Sequence, residues 1–358
     1  MDIAYYILAS IIFITSSLSF IDHPHWTFRM FEFAKVHLLS IQLITFVLAF
    51  VLLDLNLIMW VAQVFIGILV VVNTSILIKY SPLYKSLPAK KSDHHSKPIS
   101  LLSANVYQFN TDYQSFIELI QEQNPDIILT IESNKDWENA LKVLEKDYPN
   151  SQKIALENTY GLHLYTRLKM KDVKTHYFVA DDIPSIEAQL QTDDGFNFTF
   201  FGVHPPPPSP TEEENSKERD GELMCVAKKV CKLEGAAVVV GDFNSVAWSK
   251  VSTLFRKASE LVDPRIGRGL ISTFHANYLL LRFPIDQMFH STDIFIEDFT
   301  VLRKFGSDHL PLFSRFSINN GVNKQAPEEL EESEKEEVEE LIEEGKKENG
   351  DREAVASE

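Results

Sequence analysis

Acidic, amide and histidine side chains recur where apolar runs end. Asn105 lies at the end of Leu101–Val106, Glu132 caps Ile127–Ile131, and His204 follows Phe198–Val203. Asp242 and Asn244 follow Ala236–Val240, Asp286 sits in Pro284-Ile285-Asp286, and Asp308-His309 lies within Gly306-Ser307-Asp308-His309-Leu310-Pro311. Asp and Asn cap strands and turns for local reasons, so one such case carries little. Six in one stretch of chain call for a shared explanation. Strand ends that project carboxylates into one cleft make a hard-oxygen site suited to Mg²⁺ or Mn²⁺. A carboxylate beside a water is a general base, and a carboxylate behind a histidine fixes its tautomer and favours imidazolium.

The elements that must hold these residues alternate along the chain. Ser100–Tyr107 and Ile127–Ile131 read as strands. Asp112–Gln123 carries Tyr113, Phe116, Ile117 and Ile120 at helical spacing and is followed by Pro125. Asn134–Tyr148 and Glu212–Leu233 read as helices. Gly161–Tyr165, Thr175–Val179, Ile186–Gln191, Phe196–Val203, Ala236–Val240, Ile285–His290, Ile294–Val301 and Leu310–Ser317 read as further strands. Many strands with interspersed helices over about 220 residues predict a layered α/β body.

Three apolar, uncharged runs precede that body: Ile3–Phe20, Val36–Leu53 and Leu57–Leu77. Each approaches the roughly 20 residues needed to cross a bilayer, which predicts three transmembrane helices in residues 1–79. The loop Ile21–Lys35, with Trp26, Phe28, Phe31, Phe33 and Arg29, suits a membrane–water interface. All seven Lys and Arg of residues 1–98 fall on the side shared by this loop and the body. The expectation is therefore a multi-pass inner or plasma membrane protein with its body in the cytoplasm. Residues 80–98 read as a Pro-, Lys- and Ser-containing linker.

The net charge of −17 is concentrated in the body and tail. An acidic body lacks the overall basic footprint of general nucleic-acid binders. Cys225 and Cys231 sit on opposite faces of a predicted helix, which argues against a mutual disulfide. Residues 319–358 are Glu-dominated and read as a solvated, disordered tail, with unknown protein partners as its alternative use.

Asn105, Glu132, His204, Gly241-Asp242-Phe243-Asn244, Ile285-Asp286 and Ser307-Asp308-His309 resemble, in order and spacing, the endonuclease/exonuclease/phosphatase superfamily. The resemblance covers residues 100–317, and the spans and His204-Pro-Pro-Pro-Pro look like a bacterial membrane-anchored branch. It implies a four-layer α/β sandwich, two packed mixed β-sheets flanked by helices, over residues 99–318. It also implies Mg²⁺ or Mn²⁺ held by Glu132 and Asp308, with Asn105 in or beside the metal's shell. Asp242 would orient or deprotonate the attacking water, and Asn244 would hold that water or the phosphate. His309, paired with Asp286, and His204 would contact the phosphoryl group or move protons. Arg265 and Arg268, in a loop assigned to the same cleft, are candidate substrate-phosphate ligands.

The function so implied is hydrolysis of a phosphoester by metal-activated water, with nucleic acid, phospholipid or a small phosphorylated molecule as substrate. The alternative from another class is a non-catalytic membrane scaffold that recruits partners through its acidic tail.

Overall fold

The computed structural model describes residues 2–54, 56–84, 95–319, 327–348 and 350. Three apolar helices come first: α1 (Asp2–Leu18), α3 (Lys35–Leu52) and α4 (Leu57–Leu77), with the short amphipathic α2 (Trp26–Phe33) between the first two. Polar members of the apolar runs meet inside this bundle. Gln42 Nε2 donates to Ser16 Oγ at 2.7 Å, and Asn73 Nδ2 donates to Gln42 Oε1 at 3.2 Å. Gln63 Nε2 donates to the Phe46 carbonyl at 2.7 Å. Large aliphatic side chains such as Ile44, Val47, Val51, Ile58 and Val71 point outward. Polar inside and apolar outside is the reverse of a water-facing bundle.

Two of these helices, Lys35–Leu52 and Leu57–Tyr80, are long and apolar enough to cross a membrane, with mean hydropathies of 2.0 and 2.3. The first apolar run does not reach Phe20 as a helix. It ends at Leu18, where Ser19 and Phe20 donate backbone bonds back to Ser16 and Ser17 in a tight turn. Its 17 residues rise only about 25 Å, short of the roughly 30 Å hydrocarbon core. Of the expected linker, residues 85–94 lie outside the described residues. Tyr80, at its start, is buried and donates to the Ala247 carbonyl at 2.7 Å.

The body is an α/β fold with two mixed sheets. The elements run β1 (Ile99–Asn105), α5 (Tyr113–Gln123), β2 (Ile127–Ile131), α6 (Lys135–Ala140), β3 (Asn150–Ile154) and β4 (Leu162–Thr166). They continue as β5 (Lys169–His176), β6 (Ser185–Gln191), β7 (Asn197–Val203), α7 (Lys217–Cys231), β8 (Ala236–Asp242) and α8 (Lys250–Ala258). The last are β9 (Asp286–His290), β10 (Ile294–Val301), β11 (Leu312–Ile318) and α9 (Glu332–Lys347). One sheet has the order β10-β11-β1-β2-β4-β3 and the other β5-β6-β7-β8-β9. β1–β2 and β7–β8 are parallel pairs in otherwise antiparallel sheets. The near-continuous apolar runs of β1, β2, β7 and β8 follow from burial on both faces. Their inner side chains, among them Leu129, Ile131, Phe200, Val238 and Val240, form the core between the sheets. Phe116, Ile120 and Trp137 cover the outer face of the six-stranded sheet, and Leu223, Val226 and Phe255 cover that of the five-stranded one.

Several elements depart from the sequence reading, β3, α8 and the 3-10 continuation of the helix expected over Asn134–Tyr148 among them. The helix expected from Glu212 starts at Lys217, because the segment before it pairs with the chain leading from α1 into α2 instead: Trp26 N–H donates to Glu214 O and Ser216 N–H to Pro24 O. The strand placed at Thr175–Val179 runs from Lys169 to His176 as an exposed edge strand, where burial does not constrain the pattern. The tail is not wholly disordered. Residues 332–347 form α9, whose Val338, Leu341 and Ile342 recur at helical spacing and pack on α7 and α8. Gly221 and Gly345 let α7 and α9 cross closely, since a Cβ on Gly221 would lie 2.9 Å from the Gly345 Cα. Few aliphatics suffice here because the groove they fill is already built. Residues 320–326, 349 and 351–358 of the tail lie outside the described residues.

Glu222 of α7 gives a test of this packing. Its carboxylate is buried against the Ser185 hydroxyl, which donates to it at 2.8 Å, and burial pushes it up to about 7. A carboxyl raised on folding binds its proton more tightly folded than unfolded. Stability therefore falls as pH rises from the ordinary value of 4.5 to about 7, by up to about 3 kcal/mol. Glu222→Gln is expected to raise the melting temperature above that window and to lose its advantage below it. A difference from wild type that does not grow across the window contradicts the assignment.

Candidate active site

β1, β2, β7, β8 and β9 bring one end of both sheets to a single mouth. Glu132, His204, Asp242, Asn244, Asp308 and His309 line one cavity of about 810 Å³. Glu132 and Asp308, 176 positions apart in the chain, thus face the same space.

Local backbone sets these side chains. Glu132 and Asn244 each follow a buried strand and adopt left-handed φ values of 62° and 48°. Non-glycine residues held there are strained, and such strain concentrates at functional sites. β7 and β8 approach so closely that a Cβ on Gly241 would collide with the Val203 carbonyl oxygen. Glycine before Asp242 is therefore a requirement of strand pairing, and it brings Asp242 beside His204.

Asp242 is buried at the end of β8. Asn244 N–H donates to its Oδ1 at 2.9 Å, and Asn105 Nδ2 to its Oδ2 at 3.3 Å. Burial, reinforced by the charge of Asp286, raises its carboxyl above the usual range. His309 donates from Nδ1 to Asp286 Oδ2 at 2.8 Å and turns Nε2 toward Asp242 Oδ2 at 3.7 Å. Burial alone would lower this imidazole, but the charges of Asp286 and Asp242 outweigh it and hold His309 up at about 10. His204 has the opposite balance. Burial pulls it down to about 4, its Nε2 is 4.0 Å from Asp242 Oδ2, and its buried Nδ1 lacks a hydrogen-bond partner among the described residues. One histidine is cationic at neutral pH and the other neutral, a separation that divides acid and base roles.

Asp242, Asp286 and His309 place ligand-type atoms within 4.8 Å of one another. Held as an imidazolium between Asp286 and Asp242, His309 has no free ring lone pair to offer a metal and suits a proton-handling pair instead. Glu132, pushed up to about 7 by burial, and the half-buried Asp308 supply hard oxygens at the cavity wall. That donor chemistry fits Mg²⁺ or Mn²⁺ and not a thiophilic ion.

Asn105 takes the position beside the metal's shell that the resemblance allows, and two other sequence expectations, Arg265 and Arg268, need correcting. Asn105 is buried behind Glu132 and not in the wall. Its Oδ1 accepts from Tyr107 N–H, and its Nδ2 donates to Glu132 Oε1 at 2.7 Å, so it braces the carboxylate. Arg265 is fully buried, ion-paired with Asp263 at 3.0 Å and bonded to Gln287 at 2.9 Å. Arg268 donates to the carbonyls of Pro264 and Ile296. Neither arginine lines the cavity; both staple their own loop, whose course periodicity does not reveal.

Sequence reasoning missed several supports. Gln108 N–H donates to Glu132 Oε2 at 3.2 Å, and Arg219 Nη1 donates to the Asn244 carbonyl at 2.9 Å. An Arg219-Asp220 pair in a helix carries no signal that it will be buried. The other omission is α2: Trp26, Met30 and Phe33 form part of the cavity wall.

The sequence profile of the Endonuclease/Exonuclease/phosphatase family matches residues 102–309, more than half of the chain. The chain belongs to the endonuclease/exonuclease/phosphatase family. Solved structures of similar fold include D. rerio TDP2 complexed with a single-strand DNA product, at 15% identity and TM-score 0.53, covering 62% of this chain and 99% of that one. The human Nocturnin catalytic domain with bound sulfate is similar at 17% identity and TM-score 0.51, covering 62% and 95%. The mannosyl-6-phosphatase of Bacteroides thetaiotaomicron is similar at 19% identity and TM-score 0.50, covering 61% and 99%. At these identities the likeness is one of fold. No curated protein sequence matches the chain at a significant level. The match of the endonuclease/exonuclease/phosphatase profile ends at His309, so it takes in every cavity-lining acid and histidine described above.

Proposed function

We propose that the chain is a membrane-anchored, divalent-metal-dependent phosphoester hydrolase, its anchor in residues 1–79, a linker over 80–98 and its catalytic domain in 99–318. The observation that carries this is the convergence of Glu132, Asp242, Asp308 and His309 on one cavity. A Mg²⁺ or Mn²⁺ ion bound by Glu132 and Asp308 would neutralise charge on an anionic phosphoester and polarise it. The chain's own groups divide the remaining work. Asp242, made more basic by burial and by Asp286, takes a proton from the attacking water. Asn244, its amide anchored on the Pro205 carbonyl at 2.9 Å, fixes that water or the phosphate. His309 places a cation at the phosphoryl oxygens, and neutral His204 donates toward the phosphate or the departing oxygen.

The similar folds include a TDP2 bound to a single-strand DNA product and a mannosyl-6-phosphatase, which supports phosphoester chemistry without choosing a substrate. The scaffold alternative loses support because α9 is docked on α7 and α8 and not held out as a recruiting arm. The test is hydrolysis of bis-p-nitrophenyl phosphate by the full chain with Mg²⁺, Mn²⁺ or EDTA. Metal-dependent turnover abolished by EDTA is expected; zero turnover with either metal, extended to DNA, RNA and lipid, favours the scaffold.

Three spans anchor the chain, with α1 crossing as a short or locally matched helix. The bundle's outward aliphatics and inward Ser16, Gln42 and Asn73 support this. The contact of α2 with Glu214 and Trp248 supports a shared side for the first loop and the catalytic domain. By the positive-inside rule that side is the cytoplasm. A reporter fused after Pro98 is expected to be active as a cytoplasmic enzyme, and periplasmic alkaline phosphatase activity there overturns the orientation.

A further inference from the structure

The catalytic cavity is walled partly by the membrane anchor. α2 contributes Trp26, Met30 and Phe33, and the Phe33 ring meets Phe283 edge-on at 5.3 Å. His37, in the first turns of α3, donates to the Leu280 carbonyl. This contact fixes the turn Leu279–Leu281 beside the start of an apolar helix. Leu279, Leu280 and Leu281 are 75%, 82% and 55% exposed. Three consecutive exposed leucines next to such a helix mark a surface made for hydrocarbon and not for water.

The wall is rigidly placed. Trp26 N–H donates to Glu214 O at 3.0 Å, Ser216 N–H to Pro24 O at 2.9 Å, and Trp248 Nε1 to Glu32 O at 2.8 Å. Its charge is also cancelled. Arg29 is the one Lys or Arg among the described residues that line the cavity, and Asp22, Glu32 and Asp220 lie 3.2, 3.6 and 3.5 Å from its guanidinium. Proteins that track a nucleic-acid backbone present a line of unneutralised cations. This cavity presents instead one polar, catalytic end and an apolar wall that leads to the bilayer.

We infer that the substrate is a membrane lipid phosphoester, which enters from the bilayer with its phosphate toward Asp242 and His309 and its hydrocarbon between α2 and the Leu279–Leu281 turn. The inference rests on the hydrolase reading above and narrows its substrate class.

The test compares kcat/KM of the full chain, in detergent with Mn²⁺, on p-nitrophenyl phosphodiesters whose second ester is ethyl or dodecyl, with a single-stranded oligodeoxynucleotide alongside. The dodecyl ester is expected to exceed the ethyl ester by at least about 100-fold, which burial of a few methylenes supplies. The double variant Met30→Glu, Leu280→Asp is expected to shrink that preference to below about 10-fold. Equal rates on both esters overturn the lipid assignment while leaving the hydrolase reading intact. So does a higher kcat/KM on the oligonucleotide. An undiminished preference in the double variant overturns it too, because concentration of the substrate in micelles then explains the effect. Hydrolysis of none of the three substrates overturns the hydrolase reading itself.

Discussion

Asp242→Asn is expected to lower kcat/KM on bis-p-nitrophenyl phosphate by at least about 1,000-fold, roughly 4 kcal/mol of transition-state stabilisation. The substitution is isosteric, and the Asn244 N–H bond to Oδ1 survives because an amide oxygen accepts as a carboxylate does. What disappears is the basic site, the acceptor that Oδ2 offers Asn105 Nδ2 at 3.3 Å, and the negative charge that faces His309 and His204 across 3.7 and 4.0 Å. Removing a charge that Asp286 repels should leave the melting temperature unchanged or raised. The discriminating readout is therefore a collapse of rate in a protein at least as stable as wild type. A rate within about tenfold of wild type would refute the general-base role.

His309→Ala is expected to cost about 100- to 10,000-fold, the usual range for a proton-handling group. In wild type the imidazolium is held through neutral pH, because Asp286 and Asp242 offset the cost of burying a cation and keep it at about 10. Asp286→Asn separates charge from mere presence. With the 2.8 Å partner neutralised, His309 loses its proton at lower pH. Activity that needs the imidazolium then falls as pH rises through that lowered value, while wild type holds its rate over the same interval. A pH–rate profile of Asp286→Asn parallel to wild type would show that the pair serves only to pack the two strands' ends.

Much of this site was legible in the sequence because apolar runs locate strand ends. β2 and β8 are buried on both faces, so their Val and Ile runs stop where the chain reaches the mouth of the sandwich, at Glu132 and Asp242. His204 is found by the same logic at the end of β7. Loop residues carry no such coordinate. Arg265 and Arg268 have the right chemistry for phosphate, but only the folded loop reveals that Asp263 and Gln287 accept from Arg265 Nε and Nη2 and that nearby carbonyls accept from Arg268. Asn105 is legible as a neighbour of Glu132 from its strand end, whereas which amide atom faces Glu132 is decided by Tyr107 N–H, a contact that no spacing announces.

The edges of the fold were read less well for a related reason. α9 is so rich in Glu that composition alone assigns it to solvent, yet Val338, Leu341 and Ile342 find a groove prepared by α7 and α8. Aromatic residues in the first loop signalled an interface, and they do form an amphipathic helix. That the helix would also wall the catalytic cavity depends on Arg29 reaching Asp220 and on Trp248 reaching Glu32, pairings far apart in sequence.

In the proposed mechanism Glu132 helps hold a dication where Asp242 and His309 act on a phosphoester. That role is tested most directly by the Mn²⁺ dependence of bis-p-nitrophenyl phosphate hydrolysis by EDTA-treated full chain, wild type beside Glu132→Gln. Mn²⁺ is expected to restore wild-type turnover, and Glu132→Gln to need at least about 30-fold more Mn²⁺ for half its own maximum, as loss of one carboxylate ligand implies. Superimposable Mn²⁺ curves, or turnover that persists in EDTA, would contradict that role.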